Sequence, residues 1–252
     1  MDVIIKIFLI LTLVIRLGFA DDLQAVFNEA NQFYQQGEYE QAIDKYQKIL
    51  AEGYESGSLY FNLGNSYYKL NQIGFARLNY ERAAKFIKND EALQENLNLL
   101  KLRLIDQIEP MPKFILNMWW DQIVDLILID ALIWIIAVLF WLVIIVFSVR
   151  YYFRSRGRGN RLNLIFNSIL ILFILFTLIS IQKIYNLETQ QYGIIMKSTA
   201  TSRAEPKAGA TEVFMVHEGT KAKIERITND WYEIRLEDGK TGWLEQSNLE
   251  II

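Results

Sequence analysis

The chain has 252 residues, 52% of them hydrophobic, and a net charge of −3, which excludes the global basic field of a nucleic-acid binder. The absence of cysteine excludes disulfides, thiol catalysis, cysteine-ligated metal and a lipidated cysteine. One histidine removes most general-base mechanisms, and no cofactor or metal is expected. The apolar residues segregate into three runs, so the sequence reads as a multi-domain membrane protein.

Residues 1–20 read as a secretory signal. Lys6 precedes an apolar core at Ile7–Ile15, and the small residues Gly18 and Ala20 place cleavage after Ala20. Arg16 within the tail supports the other reading, an uncleaved N-terminal anchor.

Residues 21–109 repeat at an offset of 34. The stretch from Phe27 aligns with that from Phe61, which sets Ala30 on Gly64, Phe33 on Tyr67, Tyr34 on Tyr68, Gly37 on Asn71, Ala42 on Ala76 and Tyr46 on Tyr80. Small residues let antiparallel helices approach, aromatics fill the space beside them, and Gly37 and Asn71 tolerate the left-handed end of a helix. This pattern resembles the tetratricopeptide repeat, with repeats at about 23–56 and 57–90 and a capping helix at 90–109. Tyr54 and Lys88 replace the family's usual closing proline. Asn28, Asn62 and Asn96 recur at the same offset, as do Asn31 and Asn65. Each carries a donor and an acceptor, so a ladder of them can hold an extended peptide backbone. The resemblance implies a peptide-binding groove at these positions. The alternative is that they face solvent or pair with neighbouring helices.

Residues 110–130 form a linker and interfacial segment. Trp119 and Trp120 suit a membrane–water interface. Asp121, Asp125 and Asp130 face water on this reading, or form an intramembrane polar site on the other. Residues 131–149 are a first transmembrane span, uncharged throughout and roughly 28 Å long as a helix. Residues 162–182 are a second span, whose Asn167, Ser168, Thr177 and Ser180 can hydrogen-bond the partner helix. Between them, residues 150–161 carry Arg150, Arg154, Arg156, Arg158 and Arg161 and no acid. This asymmetry places the loop in the cytoplasm and both flanking domains outside it. Contact with anionic lipid headgroups is the expected role of its charge.

Residues 190–252 change to period-2 alternation broken by turn residues, which predicts about five short antiparallel strands in a small barrel. Gly219-Thr220, Trp231-Tyr232-Glu233-Ile234, Asp238-Gly239 and Gly242-Trp243 resemble the elements of a bacterial SH3 domain. Such barrels bind peptides or cell-wall peptides on aromatic-lined grooves, which makes Trp231, Tyr232 and Trp243 the candidates. Core packing is the competing role for each. His217 reads as a turn residue.

The ordered set of signal, helical repeats, two spans with an Arg-rich inner loop and a C-terminal all-β barrel resembles the E-type proteins of the bacterial Bat (aerotolerance) operon. The resemblance implies a component of an inner-membrane assembly with von Willebrand A-type proteins and other repeat proteins, linked to aerobic or oxidative stress. The expected function is a non-enzymatic protein–protein scaffold at the cell envelope. Cell-wall peptide binding through the barrel is the alternative. No nucleic acid is expected as a partner.

Overall fold

Phe27, Ala30, Phe33 and Tyr34 recur at helical spacing and turn one face of helix α1 (residues 23–36) onto a shared apolar core. The structure, a computed structural model, describes residues 23–87, 89–112, 114–153 and 159–252. The signal segment 1–20 with its cleavage site after Ala20, and the loop residues Arg154, Arg156 and Arg158, lie outside these residues.

Four further helices follow: α2 (Tyr39–Ala51), α3 (Gly57–Lys69), α4 (Ile73–Phe86) and α5 (Glu91–Lys101). The α1–α2 and α3–α4 turns are short because Gly37 (φ 82°) and Asn71 (φ 60°) take the left-handed conformation. The Ser56 hydroxyl caps α3 by accepting from Leu59 N–H, and the Asp90 carboxylate caps α5 by accepting from Leu93 N–H. Tyr46, Tyr80, Leu93 and Leu100 are fully buried in one core shared by all five helices. The expected capping helix at 90–109 is corrected: α5 stops at Lys101. Beyond it Leu104 turns back into the helical core, Asp106 bonds to the sheet and Ile108 packs on the sheet's core. Tertiary contacts, rather than Pro110, end the helix.

The C-terminal residues form seven strands: β1 (Gln191–Ile195), β2 (Thr199–Arg203), β3 (Glu212–His217), β4 (Lys221–Thr228), β5 (Trp231–Arg235), β6 (Thr241–Glu245) and β7 (Leu249–Ile251). Their order in one antiparallel sheet is β3-β2-β6-β5-β4-β1-β7. Each strand gives at least one residue to a single buried cluster that includes Ile195, Ala200, Val216, Ile224, Ile234, Leu244 and Leu249. The sheet therefore curls around one core. Register shifts at Ser202/Arg203 and Ile224/Arg226 supply the bends. The expected five strands become seven, because β1 and β7 pair with each other at the end of the sheet.

The described residues up to Pro110 and residues Gln191–Ile252 make one compact unit; Met111–Gln190 make the other. In the second unit, α6 (Ile115–Leu126) precedes α7 (Ile129–Phe153) and α8 (Gly159–Thr189). Within α7 and α8, Ile129–Tyr152 and Leu162–Tyr185 are long and apolar enough to cross a membrane, at 24 residues each. Trp134, Trp141 and Ile171 are 73%, 61% and 65% exposed, so these helices turn large apolar side chains outward on several sides. Both helices run past the expected bounds of 131–149 and 162–182, because helical hydrogen bonding continues where the apolar run ends. The loop at 150–161 shrinks accordingly. Arg150 is helical and stacks over Phe166 at 5.3 Å, while Arg161 falls on α8. Thr177 donates back to Phe173 O of its own helix (2.7 Å), not to a partner helix. The Lys183 ammonium is buried and donates to Val124 O (2.7 Å) and Ile127 O (2.6 Å), closing the C-terminal end of α6. Trp120 Nε1 donates to Gln182 (2.9 Å) on the same side of α8. Asp130 is exposed; the side chains of Asp121 and Asp125 lie outside the description.

Candidate functional site

The repeated asparagines form two nodes. The Asn31 carboxamide oxygen accepts from the Tyr46 hydroxyl (2.6 Å) and from Asn62 Nδ2 (2.9 Å). One repeat on, the Asn65 oxygen accepts from the Tyr80 hydroxyl (2.8 Å) and Asn96 Nδ2 (2.9 Å). Both lone pairs of each oxygen are thereby used, so Asn31 and Asn65 have only their Nδ2 groups to offer a ligand. Burial pushes the Tyr46 phenol up to about 12 and raises Tyr80 as well, so both remain neutral donors. Asn28 stands apart: it is exposed and accepts from Gln24 (3.1 Å). Around these nodes, Lys45 pairs with Glu29 at 2.6 Å and its ammonium lies 5.9 Å from the Phe33 ring centre.

On the sheet, alternation along β5 sends Tyr232, Ile234 and Leu236 inward and Trp231, Glu233 and Arg235 outward. Trp243 lies directly opposite Glu233, and so does Arg226. Directly opposed residues share a face, so the Trp243 indole points outward too. It is only 8% exposed, and the Arg226 guanidinium lies over its ring at 5.5 Å, held there by a forked hydrogen bond to Glu233. Arg203 on β2, opposite Trp243, extends the row Arg226–Glu233–Trp243. Trp231 lies in the neighbouring row, between Thr228 and Glu245. Arg235 forks onto Glu225 at 2.7 and 2.9 Å, and that bond holds the Glu225 carboxyl below its ordinary value. Of the three candidate aromatics, Trp231 is half-buried on the outer face, Tyr232 packs against the core, and Trp243 is the floor beneath Arg226.

A third arrangement joins the helical segment to the sheet. The Asp106 carboxylate accepts from His217 N–H (2.7 Å), the His217 Nδ1 (2.7 Å) and the Thr220 hydroxyl (2.6 Å). Burial alone would raise the Asp106 carboxyl, but the bonds from Thr220 and His217 outweigh it and hold the group below its ordinary value. Glu218 caps α4 by accepting from Gly74 N–H (2.8 Å), which places an anion at a helix N-terminus whose own N-cap residue, Gln72, provides no side-chain bond. A Cβ at Gly74 would lie 2.9 Å from Glu218 Cγ, so a larger residue there forces the Glu218 side chain to shift. Arg77 donates to Gly219 O (3.0 Å), Lys221 pairs with Glu81 (2.6 Å) and Arg82 donates to Ile251 O (2.7 Å). The sequence gives no period or motif for these pairings, since the partners lie more than 100 residues apart; His217 and the Gly219-Thr220 element mark the turn itself but not what it meets.

Comparison with curated proteins finds no match. Residues 200–250 match the family model of the bacterial SH3 domain. That match covers β2 through most of β7 and contains the Arg226–Glu233–Trp243 row, Trp231 and the His217–Thr220 turn, so this part of the chain is a bacterial SH3 domain.

Proposed function

We propose that the protein is a non-enzymatic scaffold anchored in the bacterial cytoplasmic membrane, its helical segment a pair of tetratricopeptide repeats with a capping helix. One observation carries this reading: the segments before and after the α7–α8 pair build one compact unit. Both segments must then lie on the same side of any membrane that the pair crosses. The five arginines at 150–161 put that side outside the cytoplasm. The helical segment and the SH3 domain thus form a single extracytoplasmic platform with a repeat groove and an aromatic face. Partners are other membrane-complex proteins, and the resemblance to the Bat E-type proteins extends the role to aerobic stress tolerance.

Two experiments test the scaffold. A single cysteine at Ser198, which is exposed, is labelled by an impermeant thiol reagent on intact spheroplasts, while one at Ser155 is spared; the opposite pattern reverses the orientation. Affinity purification from mildly solubilised membranes recovers the same membrane partners with the native chain and with a Trp231→Ala variant.

The SH3 match supports a second reading, cell-wall peptide recognition on the outer face of β4–β5–β6. On this reading the full chain in detergent sediments with purified sacculi, and Trp231→Ala lowers the bound fraction about tenfold. Absence of sedimentation leaves the scaffold.

A further inference from the structure

α5 stands to α3 as α3 stands to α1, because Asn96 donates to Asn65 just as Asn62 donates to Asn31. The first two of these helices each carry a second helix on the adjoining face. On α1 that face is Phe27, Ala30, Asn31 and Tyr34, met by Tyr46 and Tyr39 of α2. On α3 it is Phe61, Gly64 and Asn65, met by Tyr80 of α4, whose ring fills the space beside Gly64. The same positions on α5 are Glu95, Asn98, Leu99 and Leu102. Among the described residues of this unit, no second helix covers them. Pro110 stands where Ala42 and Ala76 stand in the second helices, and the chain has already turned to the sheet at Asp106. Leu99 is 45% and Leu102 77% exposed, and with Glu91, Gln94, Glu95 and Asn98 they line one open depression.

We propose that this face of α5 docks a basic amphipathic helix of a partner protein, seated as α2 is on α1 and α4 on α3. The repeat geometry sets the shape of the occupant, a helix packed against α5. The substitutions set its chemistry. Glu95 replaces Phe27 and Phe61, and with Glu91 it presents two exposed carboxylates to the incoming helix, which meets them with lysine or arginine. Leu99 replaces Asn31 and Asn65, so an aliphatic side chain takes the place of the tyrosine hydroxyl. Asn98 replaces Ala30 and Gly64, so the partner's residue there is small. This surface is separate from the asparagine groove and from the aromatic face of the sheet.

The native chain contains no cysteine, so Asn98→Cys in the full chain, in detergent, reports on this face alone. The probes are two hydrocarbon-stapled helical peptides with the same leucine stripe, one flanked by lysines and one by glutamates. The basic peptide is expected to slow maleimide labelling about tenfold, and the acidic one to leave it unchanged. Glu91→Lys combined with Glu95→Lys reverses that preference. Fluorescence anisotropy with the cysteine-free chain gives the second readout: Leu102→Asp weakens the basic peptide about tenfold. Equal protection by both peptides, or by neither, overturns the proposal. So does a cysteine already protected without peptide. If that protection fades on dilution, the occupant is a second copy; if it persists, the chain covers its own helix.

Discussion

The node at Asn65 and the node at Asp106 are built alike. In each, one polar side chain accepts hydrogen bonds from several donors at 2.6–2.9 Å. They differ in where the donors come from. Asn65 takes Tyr80 and Asn96 from the helices next to its own, and Asn31 repeats the arrangement with Tyr46 and Asn62. Asp106 takes His217 and Thr220 from a segment more than 100 residues away, beyond two apolar helices. The first kind of node orders a stack; the second joins two pieces of sequence into one unit. A neutral amide suffices where apolar packing surrounds it, whereas the joint between segments uses a charged acceptor, whose bonds are individually stronger.

The stack's node rests on packing more than on its hydrogen bond. Tyr80 is 1% exposed, its ring lies beside Phe61, and its hydroxyl reaches Asn65. Tyr80→Ala is expected to cost about 3–5 kcal/mol through the cavity, whereas Tyr80→Phe costs about 1 kcal/mol through the lost hydrogen bond. Denaturant unfolding in mild detergent, followed by far-ultraviolet circular dichroism, measures both. Equal losses would show that the hydrogen bond, and not the ring, supplies most of the stabilisation.

Asp106→Ala comes next, at about 2–3 kcal/mol, because it strands three donors at once. Its signature is local. Hydrogen exchange rises at His217 and Thr220 and along residues 102–108, while the amides of Ile234 and Leu244 in the sheet core stay protected. The pH dependence has a fixed sign. The folded carboxyl titrates below its ordinary value of 3.8, so its contribution is complete above that value and disappears as pH falls through the folded value. Asp106→Asn removes that part of the acid sensitivity. An unchanged acid profile would mean that the carboxylate is not the group that holds the joint.

Lys183 extends the comparison to the second unit, as a donor that serves two acceptors, Val124 O and Ile127 O. Lys183→Met keeps the apolar stem and loses both bonds, at a cost of about 1–2 kcal/mol, read as faster exchange in α6 with α7 and α8 unchanged. Unchanged exchange in α6 would assign its position to Val124 and Trp120 packing alone.

These regions also differ in how much of each the sequence revealed. The 34-residue offset located Asn31, Asn62, Asn65 and Asn96 because helical geometry carries equal spacing into equal position. It did not show that Tyr46 and Tyr80 occupy the asparagine oxygens, since those bonds run between helices whose approach only the fold sets. The strand alternation separated Trp231 from Tyr232, yet it gave no hint that Trp243 lies outward under Arg226, which depends on cross-strand register and a bulge. Hydropathy marks where a helix is apolar, not where its hydrogen bonds end, so α7 and α8 continue beyond the apolar runs at 131–149 and 162–182. The end of α5 at Lys101 and the Asp106 joint are not legible in the sequence because both depend on tertiary contacts, Leu104 with the helical core and Asp106 with His217 and Thr220.

Salt separates a directional joint from a mere meeting of opposite charges. Lys221 and Glu81 lie across the same contact at 2.6 Å, with side chains 25% and 14% exposed, and the Lys221 ammonium also sits 4.9 Å from the Tyr192 ring centre. A partly solvated pair of this kind is worth less than about 1 kcal/mol, and Lys221→Met keeps the stem against its neighbours. Raising the salt to about 1 M shortens the screening length to roughly 3 Å and should erase the small difference between Lys221→Met and the native chain. The loss on Asp106→Ala should survive the same salt, because three hydrogen bonds converge on a carboxylate that is only 15% exposed. If both losses vanish together, general charge attraction holds the SH3 domain to the helices. If only the Lys221 loss vanishes, the oriented donors of the His217–Thr220 turn fix the two segments in a single arrangement.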